Sequence, residues 1–251
     1  MTRKFQYILG IKFFTGDFEG LLKLCAEGHF IVVPSAPTLA DLPVDEAYRT
    51  AVEKSDFAIT DSGYMVLLWR WLTGESLPRI SGLKLLRGLL DGPELKRSGA
   101  CIWIMPSIAE METNLAWFNQ NGYPVTREEC PVAPVYSRGP ISDPELLRLI
   151  ESKKPRYVII NIGGGVQERL GFYLRENLSY RPTILCVGAA IAFITGLQAN
   201  IPVWADKFML GWLSRCLSAP RKFIPRYWKA LRLAVILAKY RERSVISERN
   251  A

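Results

Sequence analysis

Residues 157–168 read YVIINIGGGVQE. Tyr157–Ile162 is a short run, apolar except at Asn161 and rich in β-branched residues. A strand buried on both faces reads this way, because no side of it alternates toward water. Gly163, Gly164 and Gly165 then open a segment that reads as a helix, with Gln167 and Glu168 in its first turn. A buried strand, a glycine turn and a helix make the repeating unit of a parallel sheet with helical crossovers.

The same alternation extends in both directions. Phe30–Pro34 (FIVVP), Phe57–Thr60 (FAIT), Ala100–Met105 (ACIWIM) and Thr183–Val187 are further apolar strands, and Val132–Tyr136 reads as another. Helices are expected over Asp45–Lys54, Tyr64–Leu72, Leu83–Leu90, Ile108–Asn121 and Asp143–Ser152. Gly74, Gly92-Pro93 and Gly122 stop three of them, and Asp143-Pro144 starts the last as N-cap and first position. Residues 137–144 are the loosest interior segment. The fold class is α/β: a Rossmann-like parallel sheet with helices on both faces. Ligands of such sheets bind beyond the carboxyl ends of the strands. Those ends fall at Pro34-Ser35, Asp61-Ser62-Gly63, Gly163–Gln167 and Gly188-Ala189.

Composition bounds the reading. The chain has 251 residues, 49% hydrophobic and 22% charged, which suits one large domain, or one with an appendage. General disorder, a collagen-like rod and a disulfide scaffold are excluded. The start, MTRKFQYILGIKFF, holds only a short apolar stretch and no cleavage-site pattern. The longest apolar stretch, Pro182–Leu197, is shorter than the roughly 20 residues that span a bilayer, and reads as a buried strand and helix. The five cysteines are scattered with no CxxC, so a reducing compartment is expected. A single histidine, His29, stands at a strand start. No metal site or cofactor is expected.

The net charge of +8 is concentrated at one end. From Asn200 onward there are 11 basic and 3 acidic residues, so residues 1–199 are neutral. This splits the chain into an α/β body, 1–199, and a basic helical C-terminal appendage, 200–251. Arg226–Arg243 is expected to be helical. At about 100° per residue, Phe223, Ile224, Tyr227, Trp228, Leu231, Ala234 and Val235 share one arc, opposite the cations Lys222, Arg226, Lys229, Arg232, Lys239 and Arg243. Leu233, Ile236 and Leu237 violate that segregation.

Three groups of residues carry chemistry. Asp61 ends an apolar strand, where an accessible carboxylate suits a general base; as an N-cap for the helix near Tyr64 it would be structural. Gly163-Gly164-Gly165 can cradle an anion with backbone N–H groups, or be a plain tight turn. It fits neither GxGxxG nor a P-loop. Arg215, Arg221, Lys222 and Arg226 form either a solvated basic face or a clamp on a diphosphate. Trp204, Trp212 and Trp228 interleave with these charges, a mixture suited to a membrane interface. A neutral body weighs against nucleic acid.

These pieces fall in a series. A VVP-Ser35 strand end precedes Asp61-Ser62-Gly63 and LPRISG (77–82). Gly163 and Gln167-Glu168 form G-x-x-x-Q-E, and Val187-Gly188-Ala189 leads to Phe193 and Gly196. Pro202-x-Trp204, the Gly211–Arg215 segment GWLSR, Pro220-Arg221-Lys222 and Arg226-Tyr227 follow. From about Phe30 to Trp228 the chain resembles the WecG/TagA/CpsF glycosyltransferases. The resemblance implies a metal-independent, inverting transfer of an N-acetylhexosamine-type sugar from a UDP-sugar to a polyprenyl-diphosphate-linked saccharide in bacterial polysaccharide synthesis. It implies Asp61 as the base. It implies a substrate site drawn from Ser35, Gly63, Arg79, Gly163, Gly164, Gln167, Glu168 and Gly188, with Arg215, Arg221, Lys222 and Arg226 closing over the nucleotide diphosphate. It implies a cytoplasmic protein peripheral to the inner face of the membrane, which it meets through an anionic surface. A homo-oligomer through Tyr64–Leu72 or the tail fits the same pattern. The chain departs from the family pattern at Ser35 (usually Asn), Pro37-Thr38 (His nearby), Lys84 (acidic), Gly164–Val166, Ala192 (Asp) and Asn200 (Arg). These departures motivate a second reading, a non-catalytic relative that binds a nucleotide-sugar or lipid diphosphate.

Overall fold

The computed structural model describes residues 4–198, 221 and 228–245. Its centre is a seven-stranded sheet in the order β1-β2-β4-β3-β7-β6-β5. The strands are β1 (Phe5–Ile8), β2 (Ile11–Phe14), β3 (Phe30–Val32), β4 (Phe57–Ala58), β5 (Cys101–Ile104), β6 (Tyr157–Ile160) and β7 (Thr183–Cys186). All neighbours pair in parallel except β1 with β2. The expected strands are there, each shorter than its apolar run.

That edge hairpin is an addition to the sequence reading. Leu9 (φ 55°) and Gly10 (φ 78°) turn it with both residues left-handed, the geometry that matches strand twist in a two-residue hairpin. Val132–Tyr136, in contrast, is not a strand. It contributes one bridge, Met105 to Val132, and Pro131 and Pro134 remove the donors that a ladder needs.

Two core layers follow from strand alternation. Phe30, Val32, Val158, Ile160, Ile184 and Cys186 face one layer; Ile31, Val33, Tyr157, Ile159 and Leu185 face the other. The first layer is covered by α2 (Ala36–Leu39), α3 (Glu46–Glu53), α4 (Gly63–Thr73), α7 (Pro144–Lys153) and α8 (Val166–Asn177). The second is covered by α1 (Phe18–Leu24), α5 (Gly82–Asp91), α6 (Ile108–Gln120) and α9 (Ala190–Ile194). Gly171 lets α8 lie directly on β3 and β7, since a Cβ there would stand 2.5 Å from the Phe30 ring and 3.1 Å from Cys186 Sγ.

A tail helix (Arg232–Tyr240), preceded by a helical turn at 228–230, packs on the first layer. It buries the side of the residues that violate the segregation of apolar arc and cations. Ala230, Leu233, Ile236 and Leu237 enter the core, whereas Trp228, Leu231 and Val235 are exposed. The helix is apolar on two sides, so periodicity by itself does not choose between them. The body does: its end is fixed where Leu9 and Gly10 donate to the carbonyls of Arg241 and Glu242, and Lys229 pairs with Asp41. The tail helix thus shares the body's core.

Candidate active site

The carboxyl end of β4 leads into Thr60-Asp61-Ser62. Asp61 is half-buried there and does not cap α4; Ser62 does, accepting from Met65 N–H at 3.2 Å. The Asp61 carboxylate turns instead to the first turn of α5, where it accepts from Gly82 N–H at 3.0 Å. Ser81 caps the same helix through Lys84 N–H. Two helix N-termini therefore flank one carboxylate, and helix dipoles favour negative charge at that position.

The 77–82 segment is stitched to this loop at three points. Thr60 Oγ1 donates to the Pro78 carbonyl, Arg79 Nε donates to the Asp61 carbonyl at 3.0 Å, and Gly82 N–H meets the Asp61 side chain. Asp61 and Arg79, 18 residues apart, are thereby brought together. Gly82 also ties this group to the next strands, since a Cβ there would lie 3.1 Å from Val33 Cγ1 and 3.7 Å from the Val187 carbonyl.

A second group surrounds the ends of β6 and β7. Gln167 Oε1 accepts from Gly188 N–H at 2.8 Å, and Glu168 Oε2 accepts from Gly165 N–H at 2.6 Å. Gln167 Nε2 donates to Glu168 Oε1 at 3.0 Å, so the pair locks both turns. Both side chains are buried. They shape the turns from beneath, whereas Gly163 and Gly164 are exposed. A Cβ on Gly163 would meet nothing within 4 Å among the described residues, which suits an approach of a ligand to that stretch of backbone.

Ser35 follows β3 and is closed on Thr38, whose Oγ1 accepts from Ser35 N–H at 3.1 Å and donates to the Ser35 carbonyl at 2.9 Å. Gly63 is the first residue of α4. Lys84 places its ammonium 4.7 Å over the Phe18 ring, and Ala192 is buried. Arg221 is exposed; Arg215, Lys222 and Arg226 lie outside the described residues, as does Asn200.

Several participants escape sequence reading. Tyr48 of α3 is fully buried; burial raises its hydroxyl pKa far above the usual range, and the Glu168 carboxylate adds to this. Helical periodicity marks Tyr48 only as core. Arg169 is buried and donates to the carbonyls of Gly165, Ser137 and Gly139, which pins the irregular 137–139 loop to the glycine turn. Asn161, at the end of β6, spends its Nδ2 on the carbonyls of Ile104 and Ile159, and its buried Oδ1 has no partner among the described residues. A polar residue closing an apolar strand was the available signal for Asn161.

Strand ends carrying a half-buried carboxylate, an arginine and an open glycine turn suit acid–base chemistry on an anionic, oxygen-rich ligand. No curated protein matches the chain. The profile of the glycosyl transferase WecG/TagA/CpsF family matches residues 6–246, nearly the whole length, and the chain belongs to that family of glycosyltransferases in wall and capsule polysaccharide synthesis.

Proposed function

We propose that the protein transfers an N-acetylhexosamine-type sugar, with inversion, from a UDP-sugar to a polyprenyl-diphosphate-linked saccharide. The observation that carries this reading is the Asp61 carboxylate, held by Gly82 N–H at the end of β4 with Arg79 against its own carbonyl. In the proposed step Asp61 takes the proton of the acceptor hydroxyl. The freed oxygen attacks the anomeric carbon, and the bond from that carbon to the UDP oxygen breaks. UDP leaves with the developing negative charge. The Gly163–Gly165 turn and the cations Arg215, Arg221, Lys222 and Arg226 stabilise it. Residues 1–199 are read as the catalytic body and 200–251 as an appendage that serves the diphosphate and meets the membrane. The proposed meeting is a peripheral one; no helix among the described residues is long and apolar enough to cross a membrane.

The test is calorimetric titration of UDP into the full chain, beside a full chain carrying Arg215→Ala, Arg221→Ala, Lys222→Ala and Arg226→Ala. Truncation at Asn200 is unsuitable because it strips Leu233 and Leu237 from the core. UDP binding that the fourfold variant loses supports the reading. Absence of UDP binding to the unaltered chain refutes the donor assignment. Binding without sugar transfer to any lipid-linked acceptor favours the non-catalytic relative.

A further inference from the structure

We propose that the outward faces of α4 and the tail helix form one surface that lies on an anionic bilayer, with Leu67 and Trp71 of α4 inserting beside Trp228, Leu231 and Val235. The proposal rests on the reading of a lipid-linked acceptor given above. It adds a second element, α4, to the appendage as the membrane contact.

The two helices lie side by side over the same sheet face. Met65, Val66 and Trp69 of α4 enter the same core as Ala230, Leu233, Ile236 and Leu237. Each also has a side turned away from that core. On those sides Leu67 is 52% exposed, Trp71 81%, Trp228 75%, Leu231 51% and Val235 70%. Leu67 and Trp71 are spaced i, i+4 and form a ridge along α4, whereas Trp228 and Leu231 stand just before the tail helix and Val235 stands within it. Isolated exposed apolar residues are ordinary; two such groups on neighbouring elements, with two tryptophans between them, mark a contact surface.

Charge selects the occupant. Arg70, Arg232 and Arg243 are exposed on the same elements, and the chain's whole excess of +8 lies beyond residue 199. A second copy of the chain would bring two such basic flanks together, which like-charge repulsion opposes. An anionic bilayer offers the complementary sign, at about 1 kcal/mol for each cation near the surface. Indole rings over a cationic rim suit headgroup depth.

The consequence reaches the site. α4 begins two residues after Asp61. At about 1.5 Å per residue, Leu67 lies roughly 6 Å and Trp71 roughly 12 Å along the axis from Gly63. Docking through these residues fixes the height of Asp61 above the headgroups on a single rigid helix.

The test uses the full chain with vesicles of phosphatidylcholine alone and of phosphatidylcholine mixed with phosphatidylglycerol, read by co-sedimentation. The unaltered protein is expected to bind only the mixed vesicles. Leu67→Ser with Trp71→Ser is expected to weaken that partition about tenfold or more, and Trp71→Phe to preserve it. UDP titration and circular dichroism of the double variant are expected to be unchanged, which separates lost docking from lost fold. Equal partition of the double variant and the unaltered protein overturns the role of α4. So does a dimer, seen by light scattering, that the double variant dissociates. If the unaltered chain binds mixed vesicles but not UDP, the proposed reaction fails and the docking surface stands.

Discussion

The Asp61 carboxylate and the backbone N–H of Gly82 are joined at 3.0 Å, across 21 residues of chain. The bond fixes the carboxylate at the end of β4 and closes the first turn of α5 at once. A base and a structural acceptor are usually alternatives for such a residue; the base proposed above is also an acceptor for a helix N–H.

Asp61→Asn keeps an acceptor for Gly82 N–H and removes the basic oxygen. Turnover is expected to fall about 10²–10⁴-fold, with UDP affinity and melting temperature unchanged. Asp61→Ala loses the acceptor as well and is expected to cost about 1 kcal/mol of stability. Steady-state kinetics with thermal melts separates the two variants, and normal turnover in Asp61→Asn would end the assignment.

The glycine turn contains two different glycines. Gly165 has φ 89°, so Gly165→Ala is expected to destabilise by about 1–2 kcal/mol. A methyl on Gly163 meets no neighbour within 4 Å among the described residues. Gly163→Ala is therefore expected to melt normally yet bind UDP more weakly, because the methyl occupies the face offered to the diphosphate. Calorimetric titration of each variant checks this, and normal UDP affinity in Gly163→Ala would place the diphosphate elsewhere.

Glu168 is fully buried and accepts from Gly165 N–H and Gln167 Nε2. Glu168→Ala is expected to cost about 2–4 kcal/mol in urea unfolding, because both donors are left buried and unmet. Gln167→Ala frees one turn N–H, that of Gly188, and is expected to cost about 1 kcal/mol.

The two apolar sides of the tail helix are distinguished by stability. Leu237→Ala is expected to cost about 2–4 kcal/mol, as a cavity in the core. Val235→Ser, on the exposed side, is expected to stay within about 0.5 kcal/mol. Equal effects in chemical denaturation would contradict the observed packing.

Burial raises the Cys25 and Cys130 thiols from 9.0 to about 12, because a thiolate inside the core loses its hydration. The folded pKa exceeds the unfolded one, so the neutral thiols favour the folded state fully below pH 9. Stability is expected to decline as pH rises from about 9 toward 12. Cys25→Ala with Cys130→Ala is expected to flatten that part of the curve.

The sheet was legible because β3, β5, β6 and β7 are buried on both faces, and such strands are continuous apolar runs whatever their neighbours. The hairpin of Phe5–Phe14 was less legible, since an edge strand with one wet face has a weaker pattern. At the site, Asp61, Arg79, Gln167 and Glu168 were identifiable as residues standing at strand ends and in family-like motifs. Their partners were not. Gly82 N–H is a backbone group, and Arg169 acts on carbonyls 30 and 32 residues away in the chain.

The sequence by itself determined the order of strands and helices, the ends at which polar residues collect, and the separation of charge into a neutral body and a basic tail. These are local properties of composition and period. Only the tertiary structure decided which of two apolar sides the tail helix buries, which helix Asp61 caps, and that Gln167 and Glu168 brace turns from below. Each of those outcomes depends on contacts between segments far apart in the chain. A helix with two apolar sides, or a carboxylate between two helix starts, has competing local solutions, and packing against the rest of the molecule selects one.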